Sequence, residues 1–285
     1  MPALTKNVLI MKQKITILIL ATFSMLAAFS QVKTDSLKQF TIGERRVIKS
    51  AVLKENRILN INLPSGYDKE KTYPVIYLLD GSAGEDFLHI AGLVQFFNMT
   101  FNMPDFIIVG IENVDRKRDF TFHTELKDLK KAYPTTGHSD SFIKFIESEL
   151  QPYIQSTYKT NETKYIIGQS LGGLLATEIL LKKPALFSHY LIVSPSLWWD
   201  NESLLTQAAA LMQDQKETQG YVYISAGGKE EKIMQNDAKQ LALILKNSKH
   251  KKLKVDLLIL PDENHATILH QSIYNAFNIL FPYKN

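Results

Sequence analysis

From Tyr73 onward the chain switches repeatedly between two apolar patterns. Continuous runs recur in YPVIYLLD (Tyr73 to Asp80), DFIIVGIEN (Asp105 to Asn113), KYIIG (Lys164 to Gly168), HYLIVS (His189 to Ser194), YVYISAG (Tyr221 to Gly227) and KVDLLILP (Lys254 to Pro261). Runs of this length without alternation suit strands covered on both faces. Between them the period lengthens. Phe142, Phe145, Ile146 and Leu150 fall on one face of a helix predicted over Phe142 to Tyr153, and Leu171 to Leu181, Met234 to Leu245 and Ala266 to Leu280 carry similar patterns. Strands alternating with helices predict an α/β fold, a mostly parallel sheet with helices on both faces. Upstream, RVIKSAVL and RILNINLP read as two strands joined through Lys54 to Asn56. The second alternates cleanly, with Ile58, Asn60 and Asn62 against Leu59, Ile61 and Leu63, as an antiparallel edge would. Asp115 to Gly137, dense in charge and turn residues, reads as a long excursion at the mouth of a site.

Composition narrows this picture. At 45 % hydrophobic and 22 % charged, the 285-residue chain has the make-up of a soluble globular protein. Residues 31–285 alternate strand and helix without a linker, which predicts a single domain there. With no cysteine, disulfides, thiolate metal sites and a cysteine nucleophile are excluded together. The N-terminus reads as a signal peptide over residues 1–30, with Met11 as an alternative start. Lys12 and Lys14 precede an apolar run from Ile15 to Phe29, and Ala28-Phe29-Ser30 fits a small-x-small cleavage site. The run is shorter than the ~20 apolar residues that span a bilayer. The expectation is cleavage near Gln31 and a periplasmic or secreted protein without a stable membrane span; an uncleaved anchor is the competing reading. Without Lys6, Lys12 and Lys14, 30 basic residues face 29 acidic ones. A near-neutral body gives no reason to expect nucleic acid as a partner. Oligomeric state is left open.

The chemistry concentrates in Gly168-Gln169-Ser170-Leu171-Gly172, which sits between a predicted strand and a predicted helix. A helix that starts directly after a strand needs a sharp turn. The apex residue is then strained, with its side chain thrust clear of the sheet. Glycine at 168 and 172 would remove collisions across the turn, and Gly173 would let the helix sit closer. The amide of Leu171 then lies at a helix N-terminus beside the serine oxygen, where it can donate to an oxyanion. This is the G-x-S-x-G nucleophile elbow, a weak pattern alone and a stronger one in this context.

A serine hydroxyl needs a base, and in this arrangement the order along the chain is serine, acid, histidine. His89, His123 and His138 precede the elbow. His189 opens a strand, and His250 lies in KNSKHKK, read as a solvated loop. His265, in LPDENHATI after the last strand, is the expected base, with His270 in reserve. The acid is expected in Gly227-Gly228-Lys229-Glu230-Glu231-Lys232, where either glutamate could orient the imidazole. Asp237 and Asp262 are weaker options, and a serine–histidine dyad without an acid also stays open. A second oxyanion donor is expected from Gly81 and Ser82, in LLDGSAGED after an early strand; the same residues would also make a plain Asp-Gly turn.

At these residues the sequence resembles the "Putative esterase" (esterase D-like) family of α/β-hydrolases, in particular its enterochelin esterase-like members. The blocks, in order, are YPVIYLLDG at 73–81, IIVGIEN at 107–113, RKRDF at 116–120, FIKFIESELQPYI at 142–154, IGQSLGGLLA at 167–176, SPSLWWD at 194–200 and ENH at 263–265. The resemblance implies an α/β-hydrolase fold with antiparallel edge strands, and a serine hydrolase without metal or organic cofactor. It implies Ser170 as nucleophile and His265 as base. The family's acid block, laid on Gly228, Met234 and Asp237, favours Glu231 over Glu230. One departure is Gln169, where the family commonly has histidine.

The expected partner is a small-molecule carboxylic ester, cleaved through an acyl-enzyme. Trp198 and Trp199 follow a strand end near the elbow, where a ring could wall the acyl pocket; the other reading packs at least one of them in the core. Arg116 and Arg118, in the excursion, could meet an anionic or phenolic substrate, and Arg118 and Asp119 could instead pair with each other. Aromatic plus arginine would suit a siderophore-type ester. A carbohydrate esterase removing acetyl or feruloyl groups is the alternative within the same chemistry, and a non-catalytic binding protein is the alternative outside it.

Overall fold

A computed structural model describes residues 2–26, 36, 38–216 and 218–283. The chain divides into two compact units, Met1–Thr41 and Ile42–Asn285. The first holds helix α1 (Pro2–Leu26), and no helix among the described residues is long and apolar enough to cross a membrane. The expected cleavage site at Ala28-Phe29-Ser30 and mature start at Gln31 lie outside the described residues.

In the second unit the apolar runs become one eight-stranded sheet. Its strands are β1 (Glu44–Ser50), β2 (Glu55–Asn62), β3 (Tyr73–Leu78), β4 (Ile107–Ile111), β5 (Thr160–Gln169), β6 (His189–Val193), β7 (Gly220–Gly227) and β8 (Leu253–Leu260). The order is β1-β2-β4-β3-β5-β6-β7-β8. β1 with β2 and β2 with β4 are antiparallel, and every other pair is parallel. The mostly parallel α/β sheet with an antiparallel edge is therefore the observed fold. Strands β3 and β4 are buried along their whole length, as continuous apolar runs require.

Helices cover both faces. On one side α2 (Phe87–Thr100) and α10 (Ile268–Leu280) pack Phe87, Ile90, Phe97, Ile273 and Phe277 against Ile76, Ile108 and Ile167. On the other lie α5 (Ser139–Phe145), α6 (Gln151–Thr157), α7 (Leu171–Lys182), α8 (Trp199–Asp214) and α9 (Lys232–Lys246). The chain leaves β3 toward α2 on one face and leaves β5 toward α7 on the other. β3 and β5 are neighbours, so their carboxyl ends diverge and open a crevice between them. Such switch points are where α/β sheets place ligands.

Two local readings change. The helix predicted over Phe142 to Tyr153 is α5 and α6 joined by a wide π-turn at Ile146–Leu150. Pro152 in the first turn of α6 has no N–H to donate, and its ring crowds the preceding carbonyl, so the turn before it widens. The excursion from Asp115 to Gly137 contains two short helices, α3 (Arg116–Phe120) and α4 (Lys127–Ala132).

A buried ionic cluster fixes α3 to the sheet. Arg57 on β2, fully buried, pairs with Asp119 and with Glu55 at 2.7 Å. Its guanidinium lies 5.1 Å from the centre of the Phe142 ring. Arg118 joins the same cluster, bonding Glu55 through both terminal nitrogens at 3.0 and 2.6 Å and Asp119 at 2.8 Å. These bonds commit the Arg118 guanidinium to holding α3, and it does not line the crevice as a substrate-binding cation would. Removing one partner from a buried ion pair strands the other's charge. Asp119→Ala is expected to cost about 3 kcal/mol, read as a lower urea midpoint; an unchanged midpoint would remove the cluster from the fold's supports.

Candidate active site

Ser170 stands between the last residue of β5 and the first of α7, with φ 59° and ψ −119°. A non-glycine residue keeps such a conformation only where its surroundings over-determine it. Here the main chain is held on both sides. Ser170 N–H donates to Val193 O at 3.0 Å, while Ser170 O accepts from Leu174 N at 2.9 Å and Ser196 N at 3.0 Å. A Cβ on Gly168 would lie 2.4 Å from the Gly172 carbonyl oxygen, and one on Gly173 would lie 2.9 Å from Pro195 Cα. At Gly172 an added Cβ would meet only ordinary contacts, beginning at 3.5 Å. The collision argument therefore holds for Gly168 and Gly173 and not for Gly172.

The first-turn amides of α7, Leu171 included, have no acceptor within the helix and point toward the carboxyl edge of the sheet. Of the two residues expected after β3, Gly81 is excluded as a donor, because its N–H is spent on Ile111 O at 3.0 Å. Its lack of a side chain serves packing, since a Cβ there would lie 2.4 Å from Gly110 Cα. The Ser82 N–H makes no hydrogen bond among the described residues.

His265, in the turn after β8, shares a cleft of about 360 Å³ with Ser170, Asp80, Glu85, Asp86, Arg116 and Gln169. Its side chain is 46 % exposed, so the ring faces the cleft, and Nδ1 lies 3.7 Å from Glu230 Oε1. That is a charge contact slightly longer than a hydrogen bond. The Glu230 side chain is 1 % exposed, its Oε1 accepts from Ser194 Oγ at 2.5 Å, and its Oε2 has no partner. Burial raises the Glu230 pKa, but the interactions with His265 and Ser194 outweigh it and hold the carboxyl below its ordinary value. Glu231, favoured by the motif alignment, is exposed at the N-terminal boundary of α9 and makes no contact with the imidazole. The two glutamates are adjacent, and only the first is turned inward.

The serine hydroxyl does not bond the imidazole in this state. Ser170 Oγ lies 3.3 Å from Ser196 Oγ. Ser194 and Ser196 are both buried and touch Glu230 and Ser170 respectively. Neither was singled out from the sequence, although both belong to the SPSLWWD block after β6. Asp80, with φ 54°, was also missed. It accepts from Arg116 Nε at 2.7 Å and Nη2 at 2.9 Å, and from Asn113 Nδ2 at 2.6 Å. Arg116 thus lines the cleft, but with its charge compensated and only Nη1 uncommitted.

The tryptophans do not wall the cleft. Trp199 is fully buried, donating Nε1–H to Phe122 O at 3.0 Å and meeting Tyr133 edge-on; Trp198 is half-buried against the same core. Asp237 is buried and its carboxyl is pushed up to about 6, first by burial and then by Glu202; the carboxylate paired with His265 among the described residues is Glu230. Asp262 is exposed beside Lys229. His270, on α10, faces His89 with ring centres 5.6 Å apart. His250 is buried rather than solvated: Nδ1 accepts from Thr218 N at 2.9 Å, and Nε2 meets Met212 O at 2.7 Å. The lysines around it hide a residue that ties the end of α8 to the entry of β7.

The fold and this cleft define the architecture of an α/β serine hydrolase. The chain belongs to the "Putative esterase" family, whose model matches residues 50–269. It is 33 % identical over 182 residues to the ferri-bacillibactin esterase BesA of Bacillus subtilis, an alignment covering 58 % of this chain and 63 % of that protein. An IroE-like serine hydrolase from Shewanella oneidensis superposes with a TM-score of 0.76 at 32 % identity, covering 84 % of this chain and 80 % of the other. The BES protein from Bacillus cereus superposes with a TM-score of 0.75 at 29 % identity, covering 87 % and 99 %.

Asp86 offers a measurement of the cleft's electrostatics. Burial, then the charges of Asp80 and Glu85, push its carboxyl up to about 7 against the opposing pull of Arg116. Its value is therefore higher folded than unfolded, and the folded state binds more protons between about pH 4 and pH 7. Stability falls as pH rises through that window. Asp86→Asn should gain on the wild type in melting temperature from pH 4 to pH 7 and hold that margin above it. Parallel profiles for the two proteins would contradict the assignment.

Proposed function

We propose that the chain is an exported serine esterase in which Ser170 attacks the ester carbonyl. Residues 1–30 act as its signal peptide and residues 31–285 as a single hydrolase domain, periplasmic or secreted after cleavage. The observation that carries the reading is the shared cleft. A strained serine at a strand–helix turn faces the same space as a half-exposed imidazole backed by a buried carboxylate. Glu230 sits on the Nδ1 side of His265, which directs the other ring nitrogen, Nε2, toward the cleft as base. His265 takes the Ser170 proton as the Oγ–carbon bond forms, and the amides of Leu171 and Ser82 receive the oxyanion. Collapse of the intermediate breaks the bond to the leaving alcohol, which takes the proton from His265. Water, deprotonated by the same imidazole, then releases the acid and restores the serine. For the attack, Ser170 Oγ must leave Ser196 and meet the imidazole; such contacts often tighten only once substrate is bound.

For the substrate, the likeness to BesA supports a siderophore-type ester. The cleft qualifies the expectation of an anionic group held by arginine. Asp80 cancels the charge of Arg116, and Glu85 and Asp86 add acid to the same wall. Arg116 Nη1 is left as a directional donor rather than a net positive charge. The same wall favours a second reading, a carbohydrate esterase acting on neutral, hydroxyl-rich alcohols, whose hydroxyls would donate to Glu85 and Asp86. Rates on catecholate siderophore, feruloyl-sugar, acetyl-xylan and nitrophenyl esters separate the two.

A fluorophosphonate probe should label Ser170, and Ser170→Ala should lower kcat by about 10⁶-fold. An unlabelled wild type, or a loss below tenfold, would leave a binding protein on a hydrolase fold. Glu230→Gln should lower kcat by roughly 10³- to 10⁴-fold and Glu231→Gln by less than about twofold, since an exposed loop charge touches neither base nor substrate. The reverse ranking would return the acid's role to Glu231.

A further inference from the structure

The turn that carries His265 is fastened mostly to itself. Asn264 Oδ1 accepts from Ala266 N at 2.8 Å and Thr267 N at 3.2 Å, Asn264 N donates to Thr267 Oγ1 at 3.1 Å, and Ile268 N donates to Asn264 O at 3.1 Å. Its other backbone ties run to the strand it leaves and to the acid's loop: Glu263 N to Leu260 O at 3.2 Å, and Lys229 N to Glu263 O at 3.0 Å. Those bonds fix the base relative to Glu230 and say nothing of its distance from the serine. One bond crosses to the elbow. Gln169 Nε2 donates to the main-chain oxygen of His265 at 2.5 Å. Gln169 is itself held from behind, its own carbonyl accepting from Arg116 Nη2 at 3.2 Å, and Arg116 is anchored twice on Asp80.

We propose that Gln169 is a positioning residue that sets the separation between the Ser170 hydroxyl and the His265 imidazole, with Asp80 and Arg116 bracing it. The inference rests on the reading of Ser170 and His265 as nucleophile and base. A side chain at 169 must supply a hydrogen to a carbonyl oxygen, and an amide does so at every pH. A carboxylate there would set acceptor against acceptor, and only its protonated form could donate. Residue 169 touches neither reacting atom, so its loss acts on kcat through misplacement of the base. A shift on the order of 1 Å in a reacting group can cost about 100-fold.

The test uses Gln169→Met, which keeps length and volume without the donor, and Gln169→Glu. For Gln169→Met, kcat on a nitrophenyl ester and the rate of fluorophosphonate labelling should fall together by about 10- to 100-fold, with KM and melting temperature unchanged. For Gln169→Glu, the ratio of its kcat to that of the wild type should rise as pH falls from 8 to 5 and the carboxyl protonates. The ratio removes the pH effects that the two proteins have in common. The ratio also keeps the proposal testable if the methionine variant folds poorly, because a merely structural defect would not recover on acidification. A kcat for Gln169→Met within twofold of wild type, or a flat ratio for Gln169→Glu, overturns the role of Gln169 while a labelled wild type leaves the hydrolase reading standing. An unlabelled wild type overturns both.

Discussion

Everything at the carboxyl edge of the sheet depends on one backbone conformation, the positive φ of Ser170. A serine does not adopt it freely, so neighbouring atoms must impose it. They do so by closeness: Gly168 meets the Gly172 carbonyl with no room for a Cβ, and Gly173 lies against Pro195. The bond Ser170 donates to Val193 and those it accepts from Leu174 and Ser196 close the remaining freedom. Strain at the apex is thereby supported by both the strand before and the strand beside it. The sheet order adds the second constraint, since β3 and β5 are neighbours whose continuations leave on opposite faces. The bend presents the hydroxyl, and the switch point opens the space into which it is presented.

The same edge shows why chain order alone locates a base better than an acid. The proposed base, His265, lies in a short turn after the last strand, and the other candidate, His270, falls on α10. The acid's loop offers adjacent glutamates, and which of them faces inward depends on where α9 begins. Glu231 marks that boundary and points outward. Glu230, one residue earlier, lies in a turn whose glycines allow close approach: a Cβ on Gly227 would sit 2.5 Å from Glu263 O, and one on Gly228 would sit 2.6 Å from Pro261 Cα. Gln235 then donates to the carbonyls of Gly228 and Glu230, both at 3.0 Å, holding the turn closed over the first helical residues. A shift of one residue in a helix start is below the resolution of hydrophobic periodicity.

Legibility in the sequence followed the nature of the signal. The sheet was readable because burial on both faces leaves unbroken apolar runs, and the elbow was readable because Gly168 and Gly173 answer a steric demand within six residues. Long-range pairing left no such trace. Arg118 and Arg116 look alike in RKRDF, yet one is drawn into a cluster with Arg57, Glu55 and Asp119 and the other into the cleft with Asp80. Trp199 and Trp198 look like a pocket wall, yet the first finds its hydrogen-bond acceptor in the excursion at Phe122. Ser194 and Ser196 gain meaning only from what stands opposite them across the ends of β5 and β7. The domain boundary near residue 30 belongs to a segment outside the described residues.

Two carboxyls at this edge are desolvated, and they respond in opposite directions. Asp86 lies among Asp80 and Glu85, with Arg116 already committed to Asp80, so burial and like charge favour its neutral form, and its value rises to about 7. Glu230 is desolvated too, but it receives a hydroxyl from Ser194 and faces an imidazole, so its charged form is favoured. Burial alone would raise both. The number of donors turned toward each group decides the sign. A buried carboxylate that stays ionised can stabilise a positive charge on an adjacent ring, which is what the proposed role of Glu230 asks of it. A carboxyl near neutrality at the mouth can donate as well as accept, a property suited to gripping an uncharged alcohol or a phenol. The opposite directions thus follow from what faces each carboxyl: the Ser194 hydroxyl and the His265 ring at Glu230, and the acids Asp80 and Glu85 at Asp86.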